Sequence, residues 1–160
     1  MNVLIVIHSH TGKTLGLAEC AKDLLATQGH NVELVRLETV EPVDTRNPTK
    51  KKIITLANLP DINSADLLLL GGPVWAFRPS PVIMKAIEDL GGKLAGKKVI
   101  AFVTHAFPWA WLTGTSSMNA MRRAVGTLGA KVLPGFVLSG TNTVNADRFN
   151  KAAEQMLQVL

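Results

Sequence analysis

The sequence predicts an α/β three-layer sandwich, a five-stranded parallel sheet of order 2-1-3-4-5 with helices on both faces. Three observations predict it. Five short aliphatic runs recur along the chain, and helical stripes of apolar residues lie between them. The runs themselves are apolar almost throughout, as strands buried on both faces of a parallel sheet are. The 160 residues suit one compact domain with a sizeable core. No repeat, low-complexity tract or composition shift marks a second, so residues 1–160 are expected to form a single domain. Hydrophobic residues at 47% and charged residues at 18% exclude a disordered chain.

The elements follow in order. The first run, residues 3–7, has no basic lead and no small-residue cleavage site, so it reads as a strand and not a signal peptide. Leu17, Ala21, Leu24 and Leu25 form the first helical stripe, and residues 32–37 the second run. Residues 38–64 are too many for a plain loop, and a short helix is expected around 51–58. The third run is 67–70. Ser80 as cap and Pro81 at the first helical position then open a stripe of Val82, Ile83, Ala86, Ile87 and Leu90. The fourth run is 99–103; Met118, Met121, Val125 and Leu128 follow, closed by Gly129. The fifth run, 132–138, contains Pro134, which suits an edge strand. Phe149, Ala152, Ala153, Met156, Leu157 and Leu160 form the last helix, opened by Asn145 or Asp147. Right-handed crossovers wind such a chain into a sheet that binds ligands beyond the strand carboxyl ends. In this order the switch point lies between the first and third strands.

The loop after the first strand reads Ser9-His10-Thr11-Gly12-Lys13-Thr14. Three hydroxyls and a glycine stand where backbone N–H groups and a helix N-terminus converge, an arrangement that binds phosphate. Gly12-Lys13-Thr14 also resembles the end of a Walker A motif. That motif needs a glycine five residues before Gly12, where Ile7 stands. A non-flavin nucleotide- or phosphate-binding module on the same sheet is therefore the alternative reading.

All three tryptophans, and five of the eight aromatic residues, fall in the loops after the third and fourth strands: Trp75, Phe77, Phe107, Trp109 and Trp111. Rings at a rim offer π-bearing walls to a flat heterocycle. Here the chain resembles the flavodoxin family, whose phosphate loop has the form S/T-x-T-G-x-T, matched at Ser9, Thr11, Gly12 and Thr14. Gly72-Pro73-Val74-Trp75 is similar to the family's G-x-P-x-aromatic loop over one face of the flavin, with Gly71 as its glycine. Residues 104–114 stand where the family's second ring-contacting loop lies. The resemblance implies a flavodoxin-like fold and an FMN cofactor. Ser9, His10, Thr11, Gly12, Lys13 and Thr14 would contact it from the first loop, and Pro73, Val74, Trp75, Ala76 and Phe77 from the second. Thr104, His105, Ala106, Phe107 and Gly114 would do so from the third. Tyrosine is absent, so Phe107, Trp109 or Trp111 must replace the ring that many flavodoxins stack on the outer face. The rival reading of Trp109 and Trp111 is a homodimer patch, compatible with a flavin near a subunit boundary.

Flavins are tuned by charge near the reactive edge. Between Pro73 and Pro81 there is no acid and one base, Arg78, and between Thr104 and Met121 there is no acid at all. That favours a reduced, anionic flavin and tilts the expectation from an electron carrier toward NAD(P)H-dependent reduction of a quinone-like acceptor. A redox partner protein remains the carrier's counterpart. No side chain is expected to act as a catalytic acid or base. His8, His10 and His105 share a sheet edge but lack a carboxylate or cysteine neighbour, so no metal is assigned. The run Lys50-Lys51-Lys52 reads as solvated. The charge of +5 favours acidic partners without implying nucleic acid, since no nucleic-acid motif accompanies it. Lone Cys20 and the lack of a long apolar stretch point to the cytoplasm and no membrane insertion.

Overall fold

The computed structural model describes residues 1–44 and 53–160. Its strands are β1 (Asn2–Ile7), β2 (Asn31–Arg36), β3 (Leu67–Trp75), β4 (Arg78–Pro79), β5 (Lys98–Thr104), β6 (Lys131–Val132) and β7 (Phe136–Leu138). Its helices are α1 (Lys13–Thr27), α2 (Pro81–Leu90), α3 (Ala110–Thr127) and α4 (Ala146–Leu157). The sheet runs β2-β1-β3-β5-β6, with β7 also on β5 and β4 folded back on β3. Among the described residues every pairing of these strands is parallel except β3 with β4. This is the expected flavodoxin-like three-layer sandwich.

Alternation along the central strands explains the layers. Side chains of a strand point to opposite faces in turn. Leu4, Val6, Leu68, Leu70, Val99, Ala101 and Val103 therefore join one core with α2 and α3. Val3, Ile5, Ile7, Leu67, Leu69, Ile100 and Phe102 join the other with α1 and α4. Both sets are apolar because both faces are covered. The helix signals act as read: Ser80 Oγ accepts the Val82 N–H at α2, and Asn145, not Asp147, caps α4 by accepting from Arg148 N.

Four local expectations need correction. The fifth run is two pieces. Val99 pairs with Val132 and Phe102 with Phe136, so four steps on one strand face three on the other. One extra residue bulges out around Pro134, which has no N–H to give the ladder. Gly135 beside it passes so near α3 that a Cβ would lie 2.3 Å from Met118 Sδ. Second, β3 does not end at residue 70 but runs to Trp75. Gly71 stands opposite Phe102 in register, and a Cβ there would lie 2.1 Å from the Phe102 ring. Gly71 and Gly72 are thus strand residues, not loop residues. Third, α3 begins at Ala110, so Trp111, Thr113 and Gly114 belong to a helix.

The fourth correction concerns 51–58, whose residues 51–52, with the lysine run 50–52, lie outside the described part. Residues 53–58 form no helix. Leu56 bridges antiparallel to Thr39, and Val40 N donates to Thr55 O. Asn58 binds the backbone of Glu38 and Arg36 through its amide. A β-branched Ile-Ile-Thr stretch suits that extended course.

Candidate functional site

The carboxyl ends of β1, β3, β5 and β7 open on one edge of the sheet, and four connections meet there. The loop after β1 is held from below. Ser9 is buried, its Oγ accepting from Leu15 N at 3.2 Å and its carbonyl from Arg36 at 2.7 Å. Thr14 Oγ1 and Thr104 Oγ1 lie 2.8 Å apart, buried, and tie this loop to the end of β5. The upper side is open. Gly12 has φ +84°, and nothing lies within 4 Å of the place a Cβ would take. Among the described residues, the backbone N–H groups of 10–14 have no protein acceptor, and α1 has no side-chain cap. Such unpaired N–H groups at a helix start carry partial positive charge and suit a phosphate. The donor set fits the terminal phosphate of FMN.

The connection after β3 is a hairpin, with Trp75 paired to Arg78 across Ala76 and Phe77. Both turn residues have positive φ, 45° and 65°. Two-residue hairpin turns need that conformation, and residues with a side chain adopt it at a cost. Trp75 is half-buried, its ring centroid 5.0 Å from His8 and 5.8 Å from His10, each imidazole nearly perpendicular to it. The hairpin thereby meets the phosphate loop.

His8 and Ser80 were not among the predicted cofactor residues, yet they join two of these connections. His8 Nδ1 lies 2.6 Å from Ser80 Oγ, which already accepts the Val82 N–H. The hydroxyl can give its proton to Nδ1 of a neutral His8 or use its second lone pair to accept from it. Burial, with His10 and Arg36 nearby, pushes the His8 pKa down to about 4. The cap role of Ser80 was legible in the Ser-Pro pair. Nothing in the sequence pairs it with a histidine 72 positions away.

The connection after β5 is clamped from the side. His105 N donates to Leu138 O, Thr141 N to His105 O, and Gly140 N to Phe107 O at 2.6 Å. Arg148 in turn grips the carbonyls of Ser139 and Gly140 at 2.6 and 2.9 Å. His105 is turned inward. It is buried against α3, and both ring nitrogens lack a partner among the described residues. Burial pushes its pKa down. Gly114 makes room for it, since a Cβ there would lie 2.4 Å from Val137 and 2.6 Å from the His105 Nε2. Thr104, His105 and Gly114 form the floor of this region, whereas Ala106, Phe107, Trp109 and Trp111 are exposed.

A helix start with open N–H groups beside an aromatic rim, on a parallel sheet of this order, defines a flavodoxin-like protein. Residues 1–143 match the family described as NADPH-dependent FMN reductase, and the chain belongs to that family. It is an FMN-binding electron-transfer flavoprotein. Among solved structures, the two-electron reduced flavodoxin of Megasphaera elsdenii is similar at 26% identity and TM-score 0.64, with 96% of this chain and 98% of that chain covered. A Lactobacillus acidophilus flavoprotein in complex with FMN is similar at 22% identity and TM-score 0.64, covering 88% and 94%. The Trp repressor binding protein of Bacillus subtilis is similar at 15% identity and TM-score 0.67, covering 100% and 99%. The last two share the fold. These matches do not favour the P-loop-like alternative. Among the described residues no helix is long and apolar enough to cross a membrane.

Proposed function

We propose that this protein is an NAD(P)H-dependent FMN oxidoreductase that passes electrons to a quinone-like acceptor, its 160 residues acting as one domain. The observation that carries the proposal is the charge of the flavin edge. Neither the hairpin 73–81 nor residues 104–121 contain a carboxylate, and Arg78 stands exposed at the hairpin. Lack of negative charge favours the reduced anionic form of a flavin and so two-electron chemistry.

In this reading the N–H groups of residues 10–14, with Thr11 and Lys13, hold the phosphate. Ser9 and Thr14 keep the loop in shape through Leu15, Arg36 and Thr104. Pro73, Val74, Trp75, Ala76 and Phe77 form one wall for the ring, and Ala106 and Phe107 the other. Thr104, His105 and Gly114 support that second wall from beneath. The bound flavin supplies hydride acceptance and delivery, and no side chain here needs to move a proton for it. His8, neutral and tied to Ser80, keeps the hairpin against the phosphate loop and adds no charge.

The visible spectrum of the purified protein and its steady-state oxidation of NAD(P)H test this together. A yellow two-band spectrum with quinone-dependent NAD(P)H oxidation is expected. A yellow protein that does not oxidise NAD(P)H, with widely separated one-electron midpoints and a very low second one, would make it a carrier. A colourless protein that leaves added FMN fluorescence unquenched would remove the site assignment altogether.

A further inference from the structure

We propose that the aromatic rim docks on the surface of an anionic lipid bilayer. Of the large apolar side chains exposed among the described residues, half lie in two neighbouring segments at this edge: Phe77, Phe107, Trp109, Trp111 and Leu112. Trp111 is 73% exposed and Phe77 67%, values at which a ring contributes little to the core. The two segments adjoin, since Ser117 Oγ of α3 lies 3.5 Å from the Phe77 carbonyl. They are also held in place. Arg148 and the Phe107–Gly140 hydrogen bond fix the second segment, and the two-residue turn fixes the first. A backbone already fixed loses little further freedom when its rings dock.

Charge selects the occupant. No Asp or Glu occurs from residue 67 to 87 or from 90 to 146. Arg78 stands beside Phe77, and α3 opens at Trp109 without a side-chain cap, so its N-terminal N–H groups add partial positive charge to the rim. Carboxylates near this edge of the sheet, such as Glu38 and Glu41, follow β2 on the far side of β1. Apart from Asp147, which stands beside Arg148 at the start of α4, the face carries no acid, and an apolar, cationic face matches a surface that is apolar inside and anionic outside. Tryptophan is suited to that boundary, with an apolar body and one N–H for the polar side. A second copy of the chain fits less well. A two-fold contact sets the same patch against itself, so Arg78 would meet two ring-bearing segments that hold no carboxylate to pair it. Docking at the surface is what such a face can do, because its rings come from a hairpin and one helical turn.

The inference goes beyond the proposed reaction: Phe77 and Phe107 are flavin walls in that reading, whereas Trp109, Trp111 and Leu112, which it does not use, carry the docking. Sedimentation of the purified full-length protein with vesicles tests it. Phosphatidylglycerol–phosphatidylcholine vesicles should carry the protein down at least tenfold better than pure phosphatidylcholine, with a blue shift of tryptophan emission. The double variant Trp109→Ser/Trp111→Ser should lose tenfold or more of that binding, and Arg78→Ser about fivefold on anionic vesicles only. Raising salt from about 0.1 M to about 1 M should weaken binding several-fold, as screening requires. Absence of sedimentation with anionic vesicles overturns the proposal, and so does equal sedimentation of the double variant. A concentration-dependent dimer that the double variant abolishes, without vesicle binding, overturns it in favour of a second copy. Flavin is read separately by absorbance, so a colourless protein that still sediments faults the cofactor reading and not this one.

Discussion

The loop after β1 and the rim formed by the hairpin and residues 105–112 share one edge of the sheet but are built oppositely. The loop is anchored by polar groups beneath it: Ser9 to Leu15, Arg36 to the Ser9 carbonyl, Thr14 to Thr104. It keeps its backbone N–H groups free above. The rim is anchored through its backbone, by Arg148 and the Gly140–Phe107 bond, and leaves apolar side chains free. In the proposed reading the difference matches two kinds of ligand surface. A phosphate needs many small, fixed dipoles, and a flat heterocycle or an apolar surface needs area.

If the rim depends on the packing beneath it, Gly114 is where it breaks most severely. Gly114→Val should destabilise the protein by about 3 kcal/mol or more, because its branches meet Val137 and His105 with no room to relax. Denaturant unfolding measures it, and a loss under 1 kcal/mol would show that α3 moves freely over the rim.

The link between the two regions is tested by pH. His8 is held neutral in the fold with a pKa of about 4 against an ordinary 6.5. Between those values the unfolded chain binds the proton and the folded one does not, so stability falls as pH falls through that window. The expected loss from about pH 6.5 to about pH 4 is up to about 3 kcal/mol from this group, with His105 acting in the same direction. His8→Asn should flatten the slope. An unchanged slope would show that His8 does not clamp the hairpin.

The loop itself is probed at Gly12. Gly12→Ala meets no neighbour, so its cost is conformational, about 1–2 kcal/mol at positive φ. FMN affinity, read by fluorescence quenching, should drop about tenfold as the loop escapes that strain. An unaltered affinity would move the phosphate elsewhere. The smallest effect is expected at the hairpin. Ala76→Gly should raise stability by about 0.5–1 kcal/mol by removing strain, and a destabilisation would mean the turn is not strained.

Much of this was legible before any coordinate. Aliphatic runs, helical stripes and the Ser80-Pro81 and Asn145 starts mark the layers, because each is a local response of backbone and side chain to burial. The turn before α1 is equally legible as a helix start with open N–H groups, since such a start is built from contiguous backbone. The place of the rim is legible in its rings, but its form is not. Gly-Gly-Pro reads as a loop, yet Gly71 is the vacancy that the Phe102 ring fills from the next strand.

By itself the sequence determined the two apolar faces, the helix starts and the concentration of rings near one edge. These depend on residues close together in the chain. Only the tertiary structure decided that His8 meets Ser80, that Thr14 pairs with Thr104 90 residues away, that Arg36 and Arg148 clamp the loops, and that His105 faces inward under Gly114. Those contacts join segments brought together by strand register and helix packing, and no local pattern of residues encodes a partner so distant.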